Sequence, residues 1–255
     1  MSTSGDAKRR VARVVAQRLT SLQQAGVTQL PRRGKKAGTE RAVVAAKPQA
    51  AVEAPAVEKV VAKVVSKPKD RLGALDVIRQ EVVGCTRCPK LLGRTQTVFG
   101  VGDPHAKICF LGEAPGADED RQGEPFVGRA GQLLNKMIVA CGLKREDVYI
   151  LNVLKCRPPE NRNPLPDEVA NCRGFFERQL DIIKPEVVCC LGSIAAKSLL
   201  QTETSIGRLR GKWHEFSGIP VVCTYHPAYL LRNPAAKGDA WEDLKMMMRK
   251  LGVNL

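Results

Sequence analysis

Four cysteines are spaced as metal ligands are. Cys85 and Cys88 are two residues apart, Cys156 sits in Leu-Lys-Cys-Arg-Pro-Pro, and Cys172 follows sixteen residues later. Four thiolates can hold zinc or a [4Fe–4S] cluster. Zinc sites more often use two close pairs, so the wide split of the second pair here favours the cluster. The alternative is that Cys172 is an ordinary buried helix residue and only the first pair binds. A second group of residues is polar and follows apolar runs: Gly112-Glu-Ala-Pro-Gly116, Asn152, and His226-Pro-Ala-Tyr-Leu-Leu-Arg232. An acid, an amide and an imidazole of this kind suit recognition of a polar ligand and proton or charge handling beside it.

These groups need a frame to bring them together. Residues 107–111, 148–151, 186–191 and 220–224 are short apolar runs that read as buried strands. Between them, helical spacing appears at 74–83 and 131–141. A Pro-Asp-Glu start opens a helix at Pro166, Ser193 is a candidate N-cap for 194–200, and Asp239 is one for a last helix. The alternation predicts an α/β fold with a central, mostly parallel four-stranded sheet and helices on both faces. Ligands of such sheets sit beyond the carboxyl ends of the strands. Three strands end in the polar loops 112–120, 152–163 and 225–232, which should therefore share one rim. Cys109, Cys141, Cys189, Cys190 and Cys223 lie in apolar stretches and read as core.

The formal net charge is +15, and it is uneven. Residues 1–70 hold fifteen Lys and Arg against five Asp and Glu, with no aromatic residue. They read as a basic, disordered Ala/Val/Lys/Pro tail, with a short helix possible at 8–24, attached to a domain at 71–255. Such a basic excess favours polyanions, nucleic acid above all, although a basic tail can also merely aid solubility. No run of eighteen apolar residues and no secretory signal is visible. Together with nine cysteines, this predicts a reducing, cytoplasmic setting (nucleoid-associated in a bacterium) and no membrane partner.

The polar motifs, together with Pro125-Phe-Val-Gly-Arg-Ala-Gly131 and Asn152-Val-Leu-Lys-Cys-Arg-Pro-Pro159, resemble the family 4 uracil-DNA glycosylases from about Leu72 to Leu255. That resemblance implies an enzyme of base excision repair. It would cut the N-glycosidic bond of deoxyuridine extruded from DNA, leave an abasic site, carry a [4Fe–4S] cluster on Cys85, Cys88, Cys156 and Cys172, and work as a monomer. It also implies a uracil pocket of Gly112, Glu113, Ala114, Phe126, Asn152 and His226. Phe126 would stack on the base, Asn152 would read O4 and N3–H, and His226 would support charge on O2. Leu230 would be a wedge in the duplex and Arg232 a phosphate contact. Ala114 stands where family 1 has an Asp, so Glu113 is the candidate for organising water, with Asp118 and Asp120 behind it. Gly116 stands where family 1 has a Tyr that excludes thymine. The tail would add nonspecific contacts to uracil-containing DNA.

Two rival readings remain. One is a non-catalytic DNA-binding module. The other is a related branch that traps uracil on a histidine, but 157–166 contains none.

Overall fold

The computed structural model describes residues 70–255; the tail and its expected helix lie outside the described residues. The domain opens with α1 (Arg71–Val83), which buries Leu75, Ile78 and Val82 and is capped by Asp70, whose carboxylate accepts from Gly73 N–H at 2.8 Å. The order continues as β1 (Val101–Gly102), β2 (Ile108–Gly112), α2 (Ala117–Gln122), α3 (Arg129–Ala140), β3 (Tyr149–Asn152), α4 (Pro166–Ile183), β4 (Val187–Leu191), α5 (Ser193–Leu200), α6 (Ile206–Leu209), β5 (Trp213–Phe216), β6 (Ile219–Thr224), α7 (Pro227–Arg232) and α8 (Lys237–Lys250).

The strands form one sheet in the order β1-β3-β2-β4-β6-β5. The four expected strands, β3, β2, β4 and β6, are its parallel centre. Two antiparallel edge strands make six rather than four. β5 pairs back onto β6 across Ser217-Gly218, both at positive φ (50° and 80°), the turn geometry that matches hairpin twist.

Side chains alternate across the sheet into two cores. Cys109, Leu111, Leu151, Val188, Cys190, Val221 and Cys223 face α1, α4 and α5. Ile108, Phe110, Ile150, Val187, Cys189, Leu191 and Val222 face α3 and α8. Burial on both faces explains why these strands are continuous apolar runs. The five cysteines assigned to the core are all buried.

Two helix starts differ from expectation. Gly192, at φ 93°, is the N-cap of α5, so Ser193 is its first residue. α8 begins at Lys237, which leaves Asp239 inside its first turn. A glycine can supply the positive φ that the sharp exit from β4 needs, and a serine cannot do so without strain.

Candidate functional site

The carboxyl ends of the parallel strands lie on one edge, where Gly112 pairs with Asn152 and Leu191 with Thr224. Beyond them lies a cavity of ≈ 440 Å³, within the usual range for small-ligand sites of roughly 300–1,000 Å³. Glu113, Ala114, Phe126, Asn152, His226 and Arg232 all line it.

Packing fixes the floor of this cavity. Phe126 is buried, sits at φ 55° and faces the His226 ring, with centroids 5.6 Å apart. Gly112 passes between that ring and the Asn152 amide: a Cβ on Gly112 would come within 2.5 Å of Phe126 Cε2 and would collide with Asn152 Oδ1. The glycine therefore serves the pocket by having no side chain. Asn152 is buried, and its Oδ1 has no partner among the described residues. A buried acceptor left unpaired costs about 1–3 kcal/mol, and this one borders a cavity that an N–H donor could enter.

His226 caps α7: its Nδ1 accepts from Ala228 N–H at 3.1 Å. An Nδ1 that accepts carries no proton, so the neutral ring holds its hydrogen on Nε2. Burial, followed by the charge of Arg232, pushes the imidazole pKa down to about 4. The ring is thus a neutral N–H donor at physiological pH. It contributes stability above its unfolded value of about 6.5. That stability is lost as pH falls through the window from there to the folded value, because the unfolded chain takes up the proton first. Single-turnover chemistry should accordingly hold steady through pH 6.5 and decline only as pH approaches 4. A rate that drops with a midpoint near 6.5 would show that the ring is not held neutral.

Burial raises the pKa of Glu113 above the usual carboxylate range. Neither of its two stand-ins lines the cavity. Asp120 is buried and accepts twice from Thr95 N–H, at 3.0 and 3.1 Å, while Asp118 pairs with Arg121.

Leu230 is 1% exposed and packs inward, so it cannot project into a duplex; the wedge expected there is corrected. On a helix as short as α7, neighbouring positions point in different directions, and the exposed apolar side chains beside it are Tyr229 and Leu231. Arg232 is exposed at the rim.

Two contributors escaped the sequence reading. Glu119 accepts from Gly116 N–H at 3.1 Å and from Val127 and Gly128 N–H, both at 2.9 Å, which ties the loop after β2 to the loop before α3. Its spacing three residues after a cap-type glycine was the available signal. Lys155 is fully buried and donates to the carbonyls of Phe99 and Asn152, both at 3.0 Å, so it braces the end of β3. Desolvation pulls its pKa down to about 7. Nothing in the local pattern marks it.

The cysteine set gathers behind the rim. Cys85 and Cys88 follow α1, and both pack on the core that contains the buried Cys156 and Cys172. Charge on any of these thiols reaches its neighbours: the pKa of Cys156 is pushed to about 12, mainly by burial, with added repulsion from the other three. Arg94 donates to Cys85 C=O at 2.9 Å, and Asn171 Nδ2 reaches Cys88 Sγ at 3.5 Å. Among the described residues, no three Cys, His, Asp or Glu side chains converge as ligands of a metal ion. The donors present are nevertheless four thiols in one neighbourhood, and that chemistry fits an iron–sulfur group or zinc.

Comparison with known proteins gives a consistent picture. Residues 99–245 match the uracil DNA glycosylase superfamily. A type-4 uracil-DNA glycosylase of Archaeoglobus fulgidus is 47% identical over 180 residues, covering 68% of this chain and 90% of that protein. Its counterpart from Thermotoga maritima is 45% identical over 161 residues, covering 62% and 84%. That of Sulfurisphaera tokodaii is 42% identical over 191 residues, covering 71% and 86%.

Proposed function

The chain belongs to the uracil DNA glycosylase superfamily, and from that membership we infer that it is a type-4 uracil-DNA glycosylase acting in DNA repair. It hydrolyses the bond between uracil and deoxyribose in DNA and leaves an abasic site. The observation that carries this reading at residue level is one cavity holding an unpaired amide acceptor, a neutral imidazole donor, an aromatic face and an acid.

In our reading, the extruded base slides against Phe126. Asn152 Oδ1 accepts from uracil N3–H, and its Nδ2 donates to O4. Cytosine has an acceptor at position 3 and a donor at position 4, so it faces this amide with like groups opposed. As the C1′–N1 bond breaks, its electron pair moves into the base and builds charge on O2. The Nε2–H of His226 meets that charge without a proton having to be taken up first. The sugar is left cationic, water adds to C1′, and the proton it sheds neutralises the departing uracil anion. Glu113 orients that water and screens the cation. Arg232 meets a backbone phosphate, and Leu231 takes over the wedge role. Gly116 offers no bulk against thymine's methyl group, so thymine exclusion must come from another part of the pocket.

We assign Cys85, Cys88, Cys156 and Cys172 as ligands of a [4Fe–4S] cluster. The split spacing and the family both support this. When bound, the cluster crosslinks the end of α1, the loop after β3 and α4, three segments distant in sequence. Cys85→Ser should abolish the brown visible absorbance and lower the iron content of the purified protein. Zinc in place of iron, or an unchanged spectrum, would reject the assignment.

We further propose that residues 1–70 form a separate basic tail that adds nonspecific DNA contacts, and that the protein acts as a monomer. Deleting the tail should weaken DNA binding at low salt and leave excision intact; lost excision would move the domain boundary. The test of function is incubation with single-stranded, U·A and U·G oligonucleotides. Alkali-labile cleavage at uracil is expected. A stable protein–DNA band would mean trapping, and neither outcome would mean a binding module.

A further inference from the structure

A second cleft, of ≈ 210 Å³, opens beside the base cavity, and Pro158 lines both. Three cations face into it: Lys90 from the turn after Cys88, Arg94, and Arg157 from the loop after β3. Arg94 is partly committed, since it donates to Cys85 C=O. Arg157 spends only its Nε, on Asn161 Oδ1 at 2.8 Å, which leaves both terminal nitrogens without a described partner. Lys90 forms no ion pair among the described residues. Two acids share the cleft. Asp120 is buried and accepts from Thr95 N–H, and Glu160 is exposed.

The three cations outnumber the two acids of the cleft, and two of the cations, Lys90 and Arg157, keep donors without a described partner. At ≈ 210 Å³ the hollow has room for one phosphate group. It shares Pro158 with the wall of the base cavity. Resting on the glycosylase reading, we propose that this cleft is a phosphate seat: Lys90 and Arg157, aided by Arg94, hold a backbone phosphate of the strand adjacent to the extruded nucleotide. The seat fixes where the strand lies when the base reaches Phe126, and it does so without reading sequence. Asn161 joins the two sites, because it accepts from Arg157 and itself lines the base cavity.

The test is binding of the full-length protein to a fluorescein-labelled single strand that carries an abasic analogue, titrated across a salt series, with uracil release measured separately. Lys90→Ala and Arg157→Gln should each weaken binding about tenfold at low salt. Each should also flatten the slope of log affinity against log salt, by about 0.7 for one lost phosphate contact on a single strand. Glu160→Gln should shift affinity the other way. A methylphosphonate that neutralises the seated phosphate should weaken the wild type and have no further effect on Lys90→Ala. Unchanged affinity and slope in both Lys90→Ala and Arg157→Gln would overturn the seat. So would a loss confined to the chemical rate at saturating DNA. Because Arg157 adjoins Cys156, the Lys90 variant decides the matter if Arg157→Gln fails to fold. Absence of uracil release by the wild type would instead strike the glycosylase reading, which the binding measurement does not depend on.

Discussion

His226→Ala is expected to slow single-turnover uracil excision by roughly 10²- to 10³-fold, the usual loss when one preorganised donor to a developing oxyanion is removed. The reasons lie in the ring's surroundings. The Ala228 amide occupies Nδ1, so the only hydrogen is on Nε2. A Cβ at Gly192 would stand 2.8 Å from His226 Cβ, so a glycine is needed beside this residue. The donor is therefore aimed before substrate arrives, and no reorganisation cost falls on the reaction step. Binding of an abasic strand should change little in this variant, because the interaction matters only as charge accumulates on the departing base. A rate within about threefold of wild type would remove His226 from the chemistry.

The second large effect is expected at Asn152. Asn152→Ala should lower kcat/KM by at least about 10²-fold, since both uracil N3–H and O4 would lose their partners at roughly 1–3 kcal/mol each. Stability should not follow activity. Asn152 Oδ1 is buried with no partner among the described residues, so its removal breaks no bond within them. A melting temperature equal to or above that of the wild type, alongside lost excision, is the expected signature. A protein that both unfolds early and loses activity would show that Asn152 is a structural residue.

The central strands were legible because burial on both faces leaves a continuous apolar run at Ile108–Gly112, Val187–Leu191 and Ile219–Thr224. The edge strands were not. Val101–Gly102 is two residues long, and Trp213–Phe216 alternates between exposed and half-buried positions, so neither makes a strong pattern. At the site, the motif residues sit at strand ends, and a parallel sheet must place those ends on one edge; this is why Glu113, Asn152 and His226 could be assembled from sequence. Phe126 was reached only through its resemblance to a family motif, since a phenylalanine after a proline is otherwise a core residue. The orientation of Leu230 was not legible, because α7 is only six residues long and helical spacing has too few turns to separate its inner side from its outer. Lys155 broke the rule that lysines are seldom fully buried, and its two carbonyl partners come from positions 99 and 152, which no local window contains together.

The clasp made by Glu119 has a last consequence. One carboxylate gathers three amides from two loops, so contacts within the protein itself hold this wall of the hollow in shape. The ordering cost has been met during folding and is not charged again at each encounter. A cavity ready for the attached base is equally ready for the liberated one. Departure of free pyrimidine, rather than bond cleavage, then becomes the step that can throttle repeated turnover, and added uracil should compete with substrate.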